Sequence, residues 1–267
     1  MIPIGDSNEG RGTPWVNYAL ILLNFAVFLY MLSLSTSEPR GAFQRAQQRA
    51  ALREGSCYGL ATTASPSDRF VCSWAFQPKE FFDTVQGHSD VAQPDKPVIL
   101  VSVITGMFLH AGWLHILGNM LFLWVFGANV ERRMGHAGYL LFYFVAGIAA
   151  TLVQGLIDPS SIIPVLGASG AIAGVLGAYI VWFPRSTIRV VLPFFPLFFI
   201  PLPIPAFIMI GVWFAQNFLA GLASVNDAAQ VDQGVAFFAH IGGFVFGMLI
   251  ALVWRRRPRR QRSYRGF

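Results

Sequence analysis

Ser169 lies in the stretch GASGAIAG (167–174), a hydroxyl between glycines at the start of an apolar segment. His240 stands in a second glycine-rich segment, AHIGGFVFG, and His115 and Asn119 sit four residues apart in HAGWLHILGN. A serine hydroxyl is a poor nucleophile until a base takes its proton. His240 is the candidate base, and afterwards the acid for a leaving amine. The acidic residues all fall outside the apolar segments or at their edges, with Glu131 at the far end of its segment from His115. The chemistry on offer is therefore a Ser–His dyad rather than a triad. A tetrahedral intermediate needs hydrogen-bond donors for its oxyanion. At i and i+4, His115 and Asn119 share one helix face, and the backbone N–H of Ser169 supplies a further donor.

Each of these residues also has a plainer reading. A serine in an apolar helix often bonds its own backbone, and a lone histidine there is often interhelical glue. His110 and His115 are five apart and do not share a helix face, and no HExxH is present, so a zinc protease is not expected. His110 is read as structural, lining the mouth of a cavity, and His88 and His136 as surface residues.

Something has to hold these groups, and composition says what. Of 267 residues 55% are hydrophobic and 12% charged, where a soluble domain carries about 25% charged residues. The reading is an all-α polytopic membrane protein. A span takes about 20 apolar residues, and candidates fall at 15–35, 113–131, 137–157, 165–183, 204–223 and 235–254, a bundle of six. The first run lacks a basic n-region and a small-residue cleavage site, so it reads as a span rather than a signal peptide. Residues 98–109 are too short to cross and are expected to dip into the membrane face. The proline-rich stretch VVLPFFPLFFIPLPIP (190–205) is expected to be an interfacial approach to the fifth span, because proline breaks helices.

Arginine placement orients the bundle. Arg132 and Arg133, Arg185 and Arg189, and the arginines of the 255–267 tail fall on one side, whereas 158–164 and 224–235 carry no Lys or Arg. The positive-inside rule puts both termini in the cytoplasm. The organisation is then a cytoplasmic N-terminus (1–14), a first span (15–35), an external loop with a membrane-dipping segment (36–112), a five-helix catalytic core (113–254) and a basic cytoplasmic tail (255–267). The tail reads as a membrane anchor rather than a nucleic-acid patch. In the external loop, Arg45, Arg49 and Arg53 recur every four residues and imply a solvated helix face. Cys57 and Cys72 share that loop, where an oxidising compartment permits a disulfide; free buried thiols are the alternative.

This topology puts Ser169, His240, His115 and Asn119 at one depth, below the outer surface. Gly170 and Gly174, and Gly243 and Gly247, form GxxxG pairs beside the serine and the histidine. Small residues at that spacing let backbones approach closely, which brings the two side chains together. A solute or proton transporter is the less favoured reading, since mid-membrane carboxylates and paired broken-helix repeats are lacking.

Three motifs in this order, HAGWLHILGNMLFLWVFGANVERRMG, GASGAIAG and AHIGGFVFG, resemble the rhomboid intramembrane serine proteases, and SWAFQPKEFF resembles the loop before that family's second helix. The likeness covers about 98–254. It implies a six-helix bundle in which Ser169 of the GxSG motif, which opens at Gly167, is the nucleophile, His240 the base, and His115 with Asn119 the oxyanion site. It implies cleavage of transmembrane protein substrates near the outer membrane boundary, contact with membrane lipids, and no metal, cofactor or nucleic acid. A helix carrying Trp213 and Phe214 is similar to the family's proposed lateral gate. The sequence departs from some members at Ala173, where an aromatic stacks on the catalytic histidine. An inactive membrane-protein binding or quality-control factor of rhomboid type is the alternative, although such relatives typically lack the serine or the histidine. Location in a bacterial plasma membrane is expected, with the site opening to the extracytoplasmic side.

Overall fold

The computed structural model describes residues 1–7, 12–34, 66–87, 99–192, 200–226 and 236–254. The Arg45/Arg49/Arg53 face, Cys57, His88 and the arginine tail lie outside the described residues. The described elements, in chain order, are β1 (Ile2–Asp6), α1 (Trp15–Leu34), α2 (Pro66–Trp74), α3 (Pro78–Val85), α4 (Ile99–Phe108), α5 (Trp113–Met134), α6 (His136–Ile157), α7 (Ser169–Trp182), β2 (Thr187–Val191), β3 (Leu202–Pro205), α8 (Ala206–Asn226) and α9 (Phe237–Val253).

Four of these helices, α1, α5, α6 and α8, are long and apolar enough to cross a membrane. The other two expected spans are shorter: α7 has 14 residues and α9 has 17. At about 1.5 Å per residue α7 reaches only ~21 Å of a ~30 Å hydrocarbon core. It starts at Ser169 and not at 165, because residues 158–168 do other work. Val165 pairs with Phe76 in an isolated antiparallel bridge, and the Gly167 N–H donates to the Gly106 carbonyl at 2.9 Å. The SWAFQPKEFF stretch thus docks on the segment leading into α7, helped by Gln77 Nε2, which donates to the Ile162 carbonyl at 3.0 Å. Cys72, at the buried base of α2, is disulfide-bonded.

The all-α expectation missed a small sheet. β2 pairs antiparallel with both β1 and β3, in the order β1-β2-β3, with Asp6 opposite Ile188 and Thr187 opposite Pro205. Part of the proline-rich stretch is therefore an edge strand, a place where missing N–H groups are tolerated. β3 runs directly into α8, and the Ala206 N–H donates to the Ser186 carbonyl at 2.8 Å.

α7 is the centre of the bundle. Residues Gly170 to Tyr179 are buried throughout. A Cβ on Gly170 would lie 2.7 Å from Ala150 Cβ, and one on Gly174 would lie 2.6 Å from Ala146 Cβ, so α6 closes on one side. On the other side Gly243 packs on the Gly170 carbonyl and Gly247 on that of Gly174. The two GxxxG faces meet as backbone against backbone, at a separation no larger residue permits.

The end of the bundle nearest β1 holds a polar network. Glu131, at the end of α5, accepts the N–H groups of Val16 at 3.0 Å and Asn17 at 2.7 Å. A carboxylate here satisfies the otherwise unpaired first turn of α1 and complements its dipole. His136 Nδ1 lies 2.5 Å from the same carboxylate. Asn17 Nδ2 donates to the Leu123 carbonyl at 3.0 Å, which opens a π turn over Leu123–Gly127, and Tyr139 donates to Asn17 Oδ1 at 2.7 Å. Asn129 and Tyr179 both donate to the Asp6 carboxylate.

Candidate active site

The other end of the bundle carries the residues singled out for chemistry. Gly167 has φ +116°, a conformation that glycine adopts without strain. It turns the chain into α7, and Ser169 is the first residue of that helix, half-buried. Against this turn stand two side chains of α5. A Cβ on Gly167 would fall 2.8 Å from His115 Nε2 and 3.7 Å from Asn119 Nδ2. The glycine is needed twice, for its φ and for room.

The protonation of His115 follows from its other nitrogen. The Ala111 N–H donates to His115 Nδ1 at 3.4 Å, so Nδ1 is the acceptor and Nε2 carries the hydrogen towards the turn. Asn119 Nδ2 is buried and has no hydrogen-bond partner among the described residues. Two donors therefore face the segment that presents Ser169. His110 is fully buried, not at a cavity mouth: its ring meets that of His115 edge-on at 5.0 Å, and its Nδ1 bonds the Phe108 carbonyl at 3.3 Å.

His240 lies in the first turn of α9, one residue past Ala239. Gln154 Oε1 of α6 accepts the Ala239 N–H at 3.2 Å. Contact between Gly170 and Ala239, whose Cβ would lie 3.8 Å from a Cβ on Gly170, sets the starts of α7 and α9 side by side. Ser169 and His240 are thereby neighbours on facing helices, with no direct hydrogen bond between them among the described residues.

Trp213 and Phe214 occupy the face of α8 that meets the site. The Trp213 ring is 5.7 Å from that of His240 and 6.4 Å from Phe122 of α5, and Phe214 stacks on Phe244 at 4.5 Å. Trp213 thus sits between α5 and α9. Sequence reasoning missed the neighbour one turn on: Asn217 Oδ1 is 2.5 Å from His240 Nδ1. The available signal was an amide inside an apolar helix, where polar groups are costly. Gly106 was missed too. Its carbonyl anchors Gly167, and a Cβ on it would lie 3.1 Å from the Val165 carbonyl, a tight fit for any side chain. Among the described residues no cluster of His, Cys, Asp and Glu has the makings of a metal site.

A bundle of apolar helices thus sets a serine just after a glycine turn that faces a histidine and an amide of α5, on a helix packed against the one that carries a second histidine, α9. The Rhomboid domain model matches residues 99–257, and the chain belongs to the rhomboid family. It is 31% identical over 155 residues to Rhomboid-like protein 11, chloroplastic, of Arabidopsis thaliana, covering 57% of this chain and 50% of that one. It is 31% identical over 178 residues to Rhomboid protein 1, mitochondrial, of Saccharomyces cerevisiae, covering 65% and 47%. It is 26% identical over 263 residues to Rhomboid-like protease 5 of Toxoplasma gondii, covering 93% of this chain and 28% of that one. The chain spans about half the length of the first two. Two of these relatives are named for organelles, so the comparisons lend no support to a bacterial plasma membrane.

Proposed function

We propose that this chain is an intramembrane serine endopeptidase that cleaves transmembrane protein substrates near one membrane boundary. The observation that carries the reading is the placement of the His115 Nε2 and Asn119 Nδ2 donors against the Gly167 turn that presents Ser169. The Ser169 hydroxyl attacks the scissile carbonyl as its proton passes to His240. The Oγ–C bond forms and the carbonyl electrons move to oxygen. His115 Nε2, Asn119 Nδ2 and the first-turn N–H of Ser169 stabilise that oxyanion. Collapse breaks the C–N bond, and His240 returns its proton to the leaving amine. Water activated by the same imidazole then hydrolyses the acyl-serine.

The bundle is read as six membrane segments with both termini in the cytoplasm. The short α7 supports a submerged site: a helix that starts inside the hydrocarbon layer presents Ser169 below the surface. The disulfide-bonded Cys72 supports placing the 36–112 loop in an oxidising compartment.

The test is cleavage of a transmembrane reporter by the full chain in liposomes. Ser169→Ala is expected to reduce cleavage to background while the protein melts at its usual temperature. Undiminished cleavage by that variant sinks the reading. A folded wild-type protein that neither cleaves nor reacts with a fluorophosphonate at Ser169 favours a rhomboid-type binding factor instead.

A further inference from the structure

We infer that Asn217 is a positioning residue for His240, so that α8 supplies what the dyad lacks. The inference rests on the protease reading and adds a third member to it.

The amide is oriented by its own helix. Asn217 Nδ2 donates to the Trp213 carbonyl one turn back, at 2.9 Å. With the nitrogen committed there, the amide oxygen is the atom that faces the imidazole, 2.5 Å from Nδ1. An amide oxygen only accepts, so Nδ1 carries the hydrogen. The neutral ring is then the tautomer with its lone pair on Nε2, the form a general base needs. Trp213 adds a wall: its ring lies 5.7 Å from the imidazole at 42°. Two side chains of α8, at i and i+4, hold the ring by its edge and its face. The position where some relatives place a stacking aromatic, Ala173, is fully buried and too small to serve.

An amide is suited to this depth. It accepts the Nδ1 hydrogen as a carboxylate does, yet brings no charge into an apolar bundle, where a carboxylate is costly. It does so without neutralising the imidazolium that forms during catalysis. Its contribution is orientation and tautomer.

The alternative is that Asn217 only glues α8 to α9, and variants of similar shape separate the two. Asn217→Leu keeps the branched shape, somewhat enlarged, and removes the acceptor; Asn217→Asp keeps shape and acceptor. A positioning role predicts that Leu lowers kcat by about 10–100-fold with KM within about twofold, part of the 10²–10⁴ that general-base catalysis supplies. Fluorophosphonate labelling of Ser169 slows in parallel, and Asp retains most of kcat. Glue predicts the reverse order, because leucine suits an apolar interface and aspartate does not. An unchanged kcat in the leucine variant, equal losses in both variants, or a change in KM alone overturns the inference while wild-type cleavage leaves the protease reading standing. A folded wild-type protein that neither cleaves nor labels overturns both. Asn217→Ala repeats the comparison where the leucine variant does not fold.

Discussion

The amide of Asn17, near β1, is used in both directions: its nitrogen donates to Leu123 and its oxygen accepts from Tyr139. The amide of Asn119, towards the other end of the bundle, is also buried, and its nitrogen has no hydrogen-bond partner among the described residues. The same contrast holds for the ionisable groups. Glu131 accepts two backbone N–H groups and meets His136. Ser169 stands half-buried two residues past the Gly167 turn that His115 and Asn119 face. Saturated polar groups hold a fold together, whereas buried donors without partners cost stability and persist where something arrives to meet them. The two ends of the bundle thus differ in how fully their buried amides are bonded.

Substitutions at the two ends should therefore move different quantities. The largest effect on stability is expected at Glu131. Glu131→Ala leaves two α1 N–H groups without partners at about 1–3 kcal/mol each, and thermal unfolding in detergent reads it as a marked fall in melting temperature. Labelling of Ser169 per folded molecule stays the same. Asn119→Ala is expected to do the opposite. It removes an oxyanion donor, for which kcat falls about 10²–10³-fold, while the melting temperature holds or rises because a buried orphan has gone. A melting temperature that falls as far as in Glu131→Ala erases the distinction between the ends. The smallest effect belongs to neither end. Lys79 and Asp83 pair at 2.9 Å on α3, partly exposed, and Asp83→Asn is expected to cost under about 1 kcal/mol and to leave cleavage unchanged.

Much of this was legible before any coordinates. Long apolar runs placed α1, α5, α6 and α8, because hydropathy reports the solvent directly. The GxxxG pairs foretold the α7–α9 contact, since only that spacing lets two backbones touch. Other features left weaker traces. The sheet was hidden because its strands carry prolines, and proline argues against a strand unless the strand lies at an edge. The start of α7 was misplaced because residues 165–168 are as apolar as a helix, whereas Val165 is taken up in the bridge to Phe76 and Gly167 turns at positive φ with its N–H on Gly106. Glu131 showed no capping role, because the α1 N–H groups it accepts lie more than a hundred residues away. Asn217 was passed over because a single amide in a membrane helix is ordinarily glue, and nothing local reveals that it meets a histidine.

The root of α8 has a mechanical consequence. β3 delivers the chain into Ala206, which is wholly buried and tied to Ser186, so this end of the helix is clamped. Asn217 sits eleven residues further on, about 16 Å at a rise of ~1.5 Å per residue. The helix is a lever with its pivot in the sheet. A tilt of about 5° swings a point ~16 Å from the pivot by ~1.4 Å, enough to carry a 2.5 Å contact past hydrogen-bonding range. A small tilt at the root of the helix would part Asn217 from His240 at its far end.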